Sequence, residues 1–168
     1  TANTVGAYNT AVGGYSMETN VDGSRNTAFG YGSLRTMEPS SASDTYNTAL
    51  GYAALSAATT GGNNVAIGYV ALSSSTTAIQ NTACGETALE LTTTGSFNTA
   101  VGKGAGQNIA GGDYNTCVGR VAGNDLTSGS NNLCLGSDAG RSSSPSGLIN
   151  TGSNNVVLGD NNIANLFC

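Results

Sequence analysis

The stretch NNVAIGYVAL, residues 63–72, contains no acid, base, histidine or cysteine, yet variants of it return along almost the whole chain. Taking the Asn that opens each unit as an anchor gives Asn9, Asn26, Asn47, Asn64, Asn81, Asn98, Asn115, Asn132 and Asn155, with successive spacings of 17, 21, 17, 17, 17, 17, 17 and 23 residues. The two long intervals contain both prolines of the protein, Pro39 and Pro145. Proline cannot donate to a ladder of backbone hydrogen bonds, so a chain of stacked strands should confine it to loops that leave the stack. A fixed internal period of this kind is the mark of a repeat architecture.

Positions inside the unit keep their character. Two residues after the anchor stands a small residue: Ala11, Ala28, Ala49, Ala66, Ala83, Ala100, Cys117, Cys134 or Val157. Next comes a larger apolar one, such as Phe29, Leu50, Ile67 or Val101, and then Gly in all nine units. Later the unit reads "AL", as at Ala71-Leu72, relaxing to "AG" at Ala105-Gly106, Ala122-Gly123 and Ala139-Gly140. Contiguous apolar residues broken by Gly lack the 3.6-residue period of a helix and read as short strands. An extended strand sends neighbours to opposite faces, so Val65 and Ile67 share one face and Ala66 takes the other. Both faces are apolar, and both must be covered.

The expected fold is therefore all-β: a parallel β-roll or solenoid of about nine 17-residue coils, each with two short strands and two turns. Stacking at about 4.8 Å per coil gives a rod of roughly 40 Å. One strand face fills the coil; the other, along with the end strands, calls for a partner, so the chain is expected to be an obligate oligomer. The larger set, with Leu50 and Ile67, is expected inside and the Ala set nearer the partners. The Asn column, Asn26, Asn47, Asn64, Asn81, Asn98, Asn115 and Asn132 at its centre, reads as a structural ladder, since Asn tolerates left-handed turns and identical amides can stack. Gly three residues before the anchor, as at Gly95 and Gly112, is expected to supply a turn. The whole chain, 1–168, is one domain with insert loops at 36–46 and 141–153, and its opening at TANTVG, already inside the pattern, reads as a fragment or processed part of something longer.

Composition narrows the function classes. Charged residues make up 9% of the chain, His is absent, and the net charge is -5. Five dispersed basic residues, from Arg25 to Arg141, form no stripe for a phosphate backbone, which argues against nucleic acid. No apolar run nears the ~20 residues that a membrane-spanning helix needs, so no membrane insertion is expected. Acidic residues are scattered rather than paired, and without His no metal site or hexapeptide-type acyltransferase site is expected; no cofactor is implied.

The segments NNVAIG at 63–68, NNLCLG at 131–136 and NNVVLG at 154–159 resemble the head-domain repeats of trimeric autotransporter adhesins. That resemblance implies a left-handed parallel β-roll and a homotrimer of rolls about a common axis. The longer forms NTAFGYGSL at 26–34 and NTALGYAAL at 47–55 are similar to repeats of bacteriophage tail fibres. The 17-residue unit and the Thr after the anchor favour the phage branch. The C-terminal LGDNNIANLFC, 158–168, is similar to the segment preceding a self-cleaving intramolecular chaperone in such fibres.

The resemblance implies a non-enzymatic structural protein of a phage tail fibre, located in the virion and contributing to host attachment. Its partners would be its own copies, other fibre or virion proteins, and a host cell-surface glycan or protein. The alternatives are a capsid or tail decoration protein, a bacterial cell-surface adhesin, and an ice-binding solenoid suggested by Thr10, Thr27, Thr48, Thr82, Thr99 and Thr116. Candidate receptor contacts are Tyr31, Tyr52 and Tyr69, which follow the repeat Gly in three consecutive units, and the insert loops of Pro39 and Pro145. Cys117 and Cys134 occupy one position of adjacent coils, where a disulfide or two small apolar side chains would both fit. Cys168 is expected to be a free thiol or an interchain link.

Overall fold

A computed structural model describes residues 5–39, 43–141 and 149–160. Pro145 and Cys168, with parts of both insert loops, lie outside the described residues. The chain is a parallel β-solenoid of about seven turns where about nine coils were expected, and the described residues contain no helix. Its main sheet stacks nine three-residue strands: β1 (Thr10–Val12), β3 (Thr27–Phe29), β5 (Thr48–Leu50), β6 (Val65–Ile67), β7 (Thr82–Cys84), β8 (Thr99–Val101), β9 (Thr116–Val118), β10 (Leu133–Leu135) and β11 (Val156–Leu158). Every neighbouring pair is parallel and in the register that the anchors set, for example Ala66 opposite Ala83. Two-residue strands β2 (Gly23–Ser24) and β4 (Ser43–Asp44) pair separately.

Each regular coil thus carries one ladder strand where two were expected. The rest of the coil is turned by left-handed residues, which cannot lie in a flat strand. In one unit these are Asn63 (φ 59), Gly68 (φ 135), Val70 (φ 58) and Leu72 (φ 52). Coil-to-coil hydrogen bonds continue through them nonetheless, with Val70 N donating to Tyr52 O and Leu72 N to Ala88 O, both at 2.9 Å. Left-handed geometry in a β-branched residue such as Val70 carries strain of order 1–3 kcal/mol. The neighbouring coils hold it in place.

The inward face of the sheet is the reverse of the expected one. Ala28, Ala49, Ala66, Ala83, Ala100, Cys117 and Cys134 are fully buried. Phe29, Leu50, Val101, Leu135 and Leu158 are exposed on the outside, with Ile67, Cys84 and Val118 half-buried. The reason is space. The wall facing each strand already supplies a large side chain, Leu55, Leu72 or Leu89, all fully buried, so only a small residue fits opposite.

The change from "AL" to "AG" follows the same rule. From Leu55 to Leu89 the large residue stands eight positions after the anchor, and Ala58, Ser75 or Thr92 stands three further on. In the later coils Gly106, Gly123 and Gly140 replace the leucine while Ile109, Leu126 and Ile149 fill the interior from the second position. A Cβ built on Gly106 would lie 3.0 Å from Ile109 Cδ1, and one on Gly140 would lie 2.9 Å from Ile149 Cδ1. One large residue has moved from one side of the core to the other. The first coils, with Met17 and Asn20 and then Leu34 and Met37, fill both positions.

The Asn anchors from Asn26 to Asn132 sit buried at the corner preceding each strand, and Asn9 and Asn155 at the two ends are half-buried. Asn81 N donates to Asn64 Oδ1 (3.0 Å), Asn98 N donates to Asn81 Oδ1 (2.9 Å), and Asn81 Nδ2 donates to Gly95 O (2.9 Å). The same three-way pattern runs from Asn47 to Asn115. The left-handed residue is the one before the anchor, not the Asn itself. Gly95, three before the next anchor, has no left-handed φ; it is needed because a Cβ there would meet Gly112 O at 2.5 Å.

Candidate functional site

With the small residues turned inward, the outer face of the sheet displays two ranks. One is Thr-rich, with Val65, Leu133 and Val156 among the threonines; the other is the large apolar rank from Val12 to Leu158. Both strand and solenoid are continuous here, so the strip runs the length of the sheet. Contiguous exposed apolar surface of this extent is unusual on a monomer.

Two columns of side chains flank the strip. On the side after the repeat Gly, Tyr31, Tyr52 and Tyr69 stack with centroids 5.5 and 5.3 Å apart and planes within 13°. Tyr15 meets Tyr31 edge-on at 5.2 Å. Parallel stacking turns the faces of these rings toward one another, so they present mainly edges and hydroxyls to a partner. The column then changes chemistry to Glu86, Lys103 and Arg120, where Lys103 Nζ lies 3.0 Å from Glu86 Oε1 and Arg120 Nη2 lies 2.7 Å from Asp138 Oδ2.

The opposite flank is built from the residues before the anchors: Tyr8, Arg25, Tyr46, Asn63, Gln80, Phe97, Tyr114, Asn131 and Asn154. Arg25 lies between two rings, its Cζ 4.7 Å from the Tyr8 centroid and 5.8 Å from that of Tyr46. Phe97 and Tyr114 stack at 4.8 Å with planes 6° apart. This second aromatic column went unread in the sequence. Its signal was the pair Tyr-Asn or Phe-Asn at the start of four units.

All five basic residues sit in ion pairs, and five pairs among the described residues join neighbouring coils: Arg25 with Asp44 (2.9 Å), Arg35 with Glu18 (2.6 Å), Lys103 with Glu86, Arg120 with Asp138 and Arg141 with Asp125 (3.9 Å); Arg141 also pairs with Asp138 (2.7 Å) in its own coil. The Arg25 guanidinium, chiefly through its hydrogen bond, holds the Asp44 carboxyl below the ordinary range. The Asp138 carboxyl is lowered too, first by hydrogen bonds from Arg141 and Ser137. Positive charge here serves to bind coil to coil.

Of the insert loops, Pro39 is buried rather than displayed. The described part of the first loop is tied down, with Glu38 N donating to Thr59 O (3.0 Å) and Thr36 Oγ1 to Ser56 O (2.9 Å). At the end of the second, Thr127 N donates to Asn150 O (2.8 Å), which sets Ile149 in the core. Cys117 and Cys134 are free thiols facing the interior in register. The Cys117 thiol is pushed well above its ordinary range, first by its hydrogen bond to Cys134 and then by burial. Both behave as small core residues in place of alanine. No group of three His, Cys, Asp or Glu side chains that could hold a metal ion occurs among the described residues.

The chain's fold places it among parallel β-solenoid repeat proteins. No protein-family model matches the chain, and no curated protein or solved structure matches it either.

Proposed function

We propose that the chain is a stiff, non-enzymatic segment of a fibre of the phage tail kind, carried in the virion as a homotrimer and contributing to attachment at the host surface. One observation carries this reading: the large apolar rank of Phe29, Leu50, Val101, Leu135 and Leu158 faces outward along the entire sheet. Three parallel copies about a common axis would bury that rank, because a closed cyclic assembly covers the same strip on every copy. Continuous hydrogen bonding from coil to coil supplies the stiffness that a fibre needs. The stacked tyrosine edges at Tyr31, Tyr52 and Tyr69 flank the strip and are candidates for host contact, together with the loop of Pro145; the buried Pro39 is not.

Sedimentation equilibrium tests the assembly. The expected mass is three times 16.6 kDa, with the double variant Leu50→Lys/Val101→Lys dissociating to monomers that keep their β-sheet circular dichroism. A stable monomer of the unaltered chain would overturn the reading. Loss of cell binding on replacing Tyr31, Tyr52 and Tyr69 together by Ala, with the trimer intact, tests the host contact.

A further inference from the structure

The Phe97–Tyr114 stack ends abruptly. Its next position, one coil on, is Asn131, followed by Asn154, and these amides are too short to fill the space where a third ring would lie. A notch of about 300 Å³ opens there, lined by Tyr114, Thr116, Asn131, Leu133, Asn154 and Val156. Phe97 covers one face of Tyr114 in parallel at 4.8 Å, so the other face of the half-exposed ring looks into the notch. Asn131 Nδ2 donates to Asn154 Oδ1 at 2.8 Å, which orients both amides at the rim and leaves Asn131 Oδ1 as an acceptor and Asn154 Nδ2 as a donor.

We propose that this notch binds one pyranose ring of a carbohydrate. The C–H groups on one face of a pyranose carry partial positive charge and match the electron-rich face of Tyr114. A ring stacked there takes the place that the column leaves empty, at the spacing already set between Phe97 and Tyr114. Its hydroxyls, each both donor and acceptor, meet the paired amides and Thr116, while Leu133 and Val156 pack against its remaining C–H surface. None of the five basic residues lines the notch, which disfavours a phosphate-bearing ligand. The volume is at the small end for a ligand site, suited to one sugar ring rather than a larger molecule. Tyr52 lacks this geometry, because both of its faces are covered by the stacked rings of Tyr31 and Tyr69.

The inference deepens the host-attachment part of the reading above and rests on it. The test uses the full chain and saturation-transfer NMR with the methyl glycosides of glucose, galactose, mannose and N-acetylglucosamine. At least one is expected to show transfer at millimolar concentration, roughly tenfold weaker in Tyr114→Ala. The variant Asn131→Tyr places a third ring in the notch; Tyr already occupies this left-handed position at Tyr8, Tyr46 and Tyr114, so the fold and its melting temperature should persist while binding disappears. Absence of transfer from all four glycosides, undiminished binding in Asn131→Tyr, or a Tyr114 ring already shielded in the free protein by a second copy or the chain's own C-terminal segment would each overturn the site. In each case a retained trimer mass would leave the fibre reading standing.

Discussion

Replacing Leu72 by Gly tests the exchange of large residues across the core. Leu72 is fully buried with φ 52, and Ser75, three residues on, is also buried with an Oγ that lacks a hydrogen-bond partner among the described residues. Removing a buried leucine costs about 2–5 kcal/mol through lost transfer energy and the cavity left behind. Relief of left-handed strain at a non-Gly residue returns about 1–2 kcal/mol. The net loss should be about 2 kcal/mol, the middle of the resulting range, which in a chain of this size lowers Tm by roughly 4–8 °C. Adding Ser75→Ile to Leu72→Gly rebuilds the arrangement of Gly106 with Ile109 and should recover most of that loss. Ser75→Ile alone forces two large residues into one coil and should cost about 1–3 kcal/mol. Urea unfolding of the four proteins, followed by circular dichroism at one fixed chain concentration, gives the coupling. A favourable interaction of at least about 2 kcal/mol is expected. Additive effects would refute the claim that the two positions share one space.

Ser75→Ala removes an unpartnered buried hydroxyl and should raise stability by up to about 1 kcal/mol, read from the same urea curves. Gly68→Ala meets Gly85 O at 2.5 Å and its C at 2.6 Å, at φ 135; it should cost at least about 2 kcal/mol, with reduced soluble yield as the simplest readout. Asn81→Ala strands Asn98 N and Gly95 O inside the stack and should cost about 2–4 kcal/mol, while Thr82→Ser on the outer face should change stability little. The lowered folded-state pKa of Asp138 contributes stability that is present above its unfolded pKa and lost as pH falls through the lower folded value. Melting temperature should therefore decline below about pH 4, less steeply in Asp138→Asn.

Much of the fold was legible because a period of 17 is a statement about register. Each Asn-to-Asn step fixes which residues meet across the ladder, and the observed pairs, Thr82 with Thr99 and Ala83 with Ala100, follow it. The position of Pro39 in a long interval suggested a loop that leaves the stack, whereas Glu38 N beside it still donates to Thr59 O of the next coil and Pro39 itself is buried. Left-handed residues were hidden for a different reason. Local preference places Gly or Asn at such positions, whereas Leu72, Val70 and Tyr46 hold them here because the coils on either side dictate the backbone. The flanking columns were half legible: Tyr31, Tyr52 and Tyr69 stood out by repetition, but Tyr114 gained its meaning only from the short Asn131 beside it in space.

The sequence by itself determined the position of one strand in each unit, the parallel stacking of those strands and the Asn ladder beside them. It left the two strand faces equivalent, since both are apolar. The tertiary structure decided between them: the far wall of each coil, Leu72 in one unit and Ile109 in another, fills the interior, so the strand opposite turns a small residue inward, Ala or Cys in the coils from β3 to β10 and Val157 in the last strand. Phe29, Leu50 and their rank are thereby driven to the outer surface, where they make the strip on which assembly is proposed.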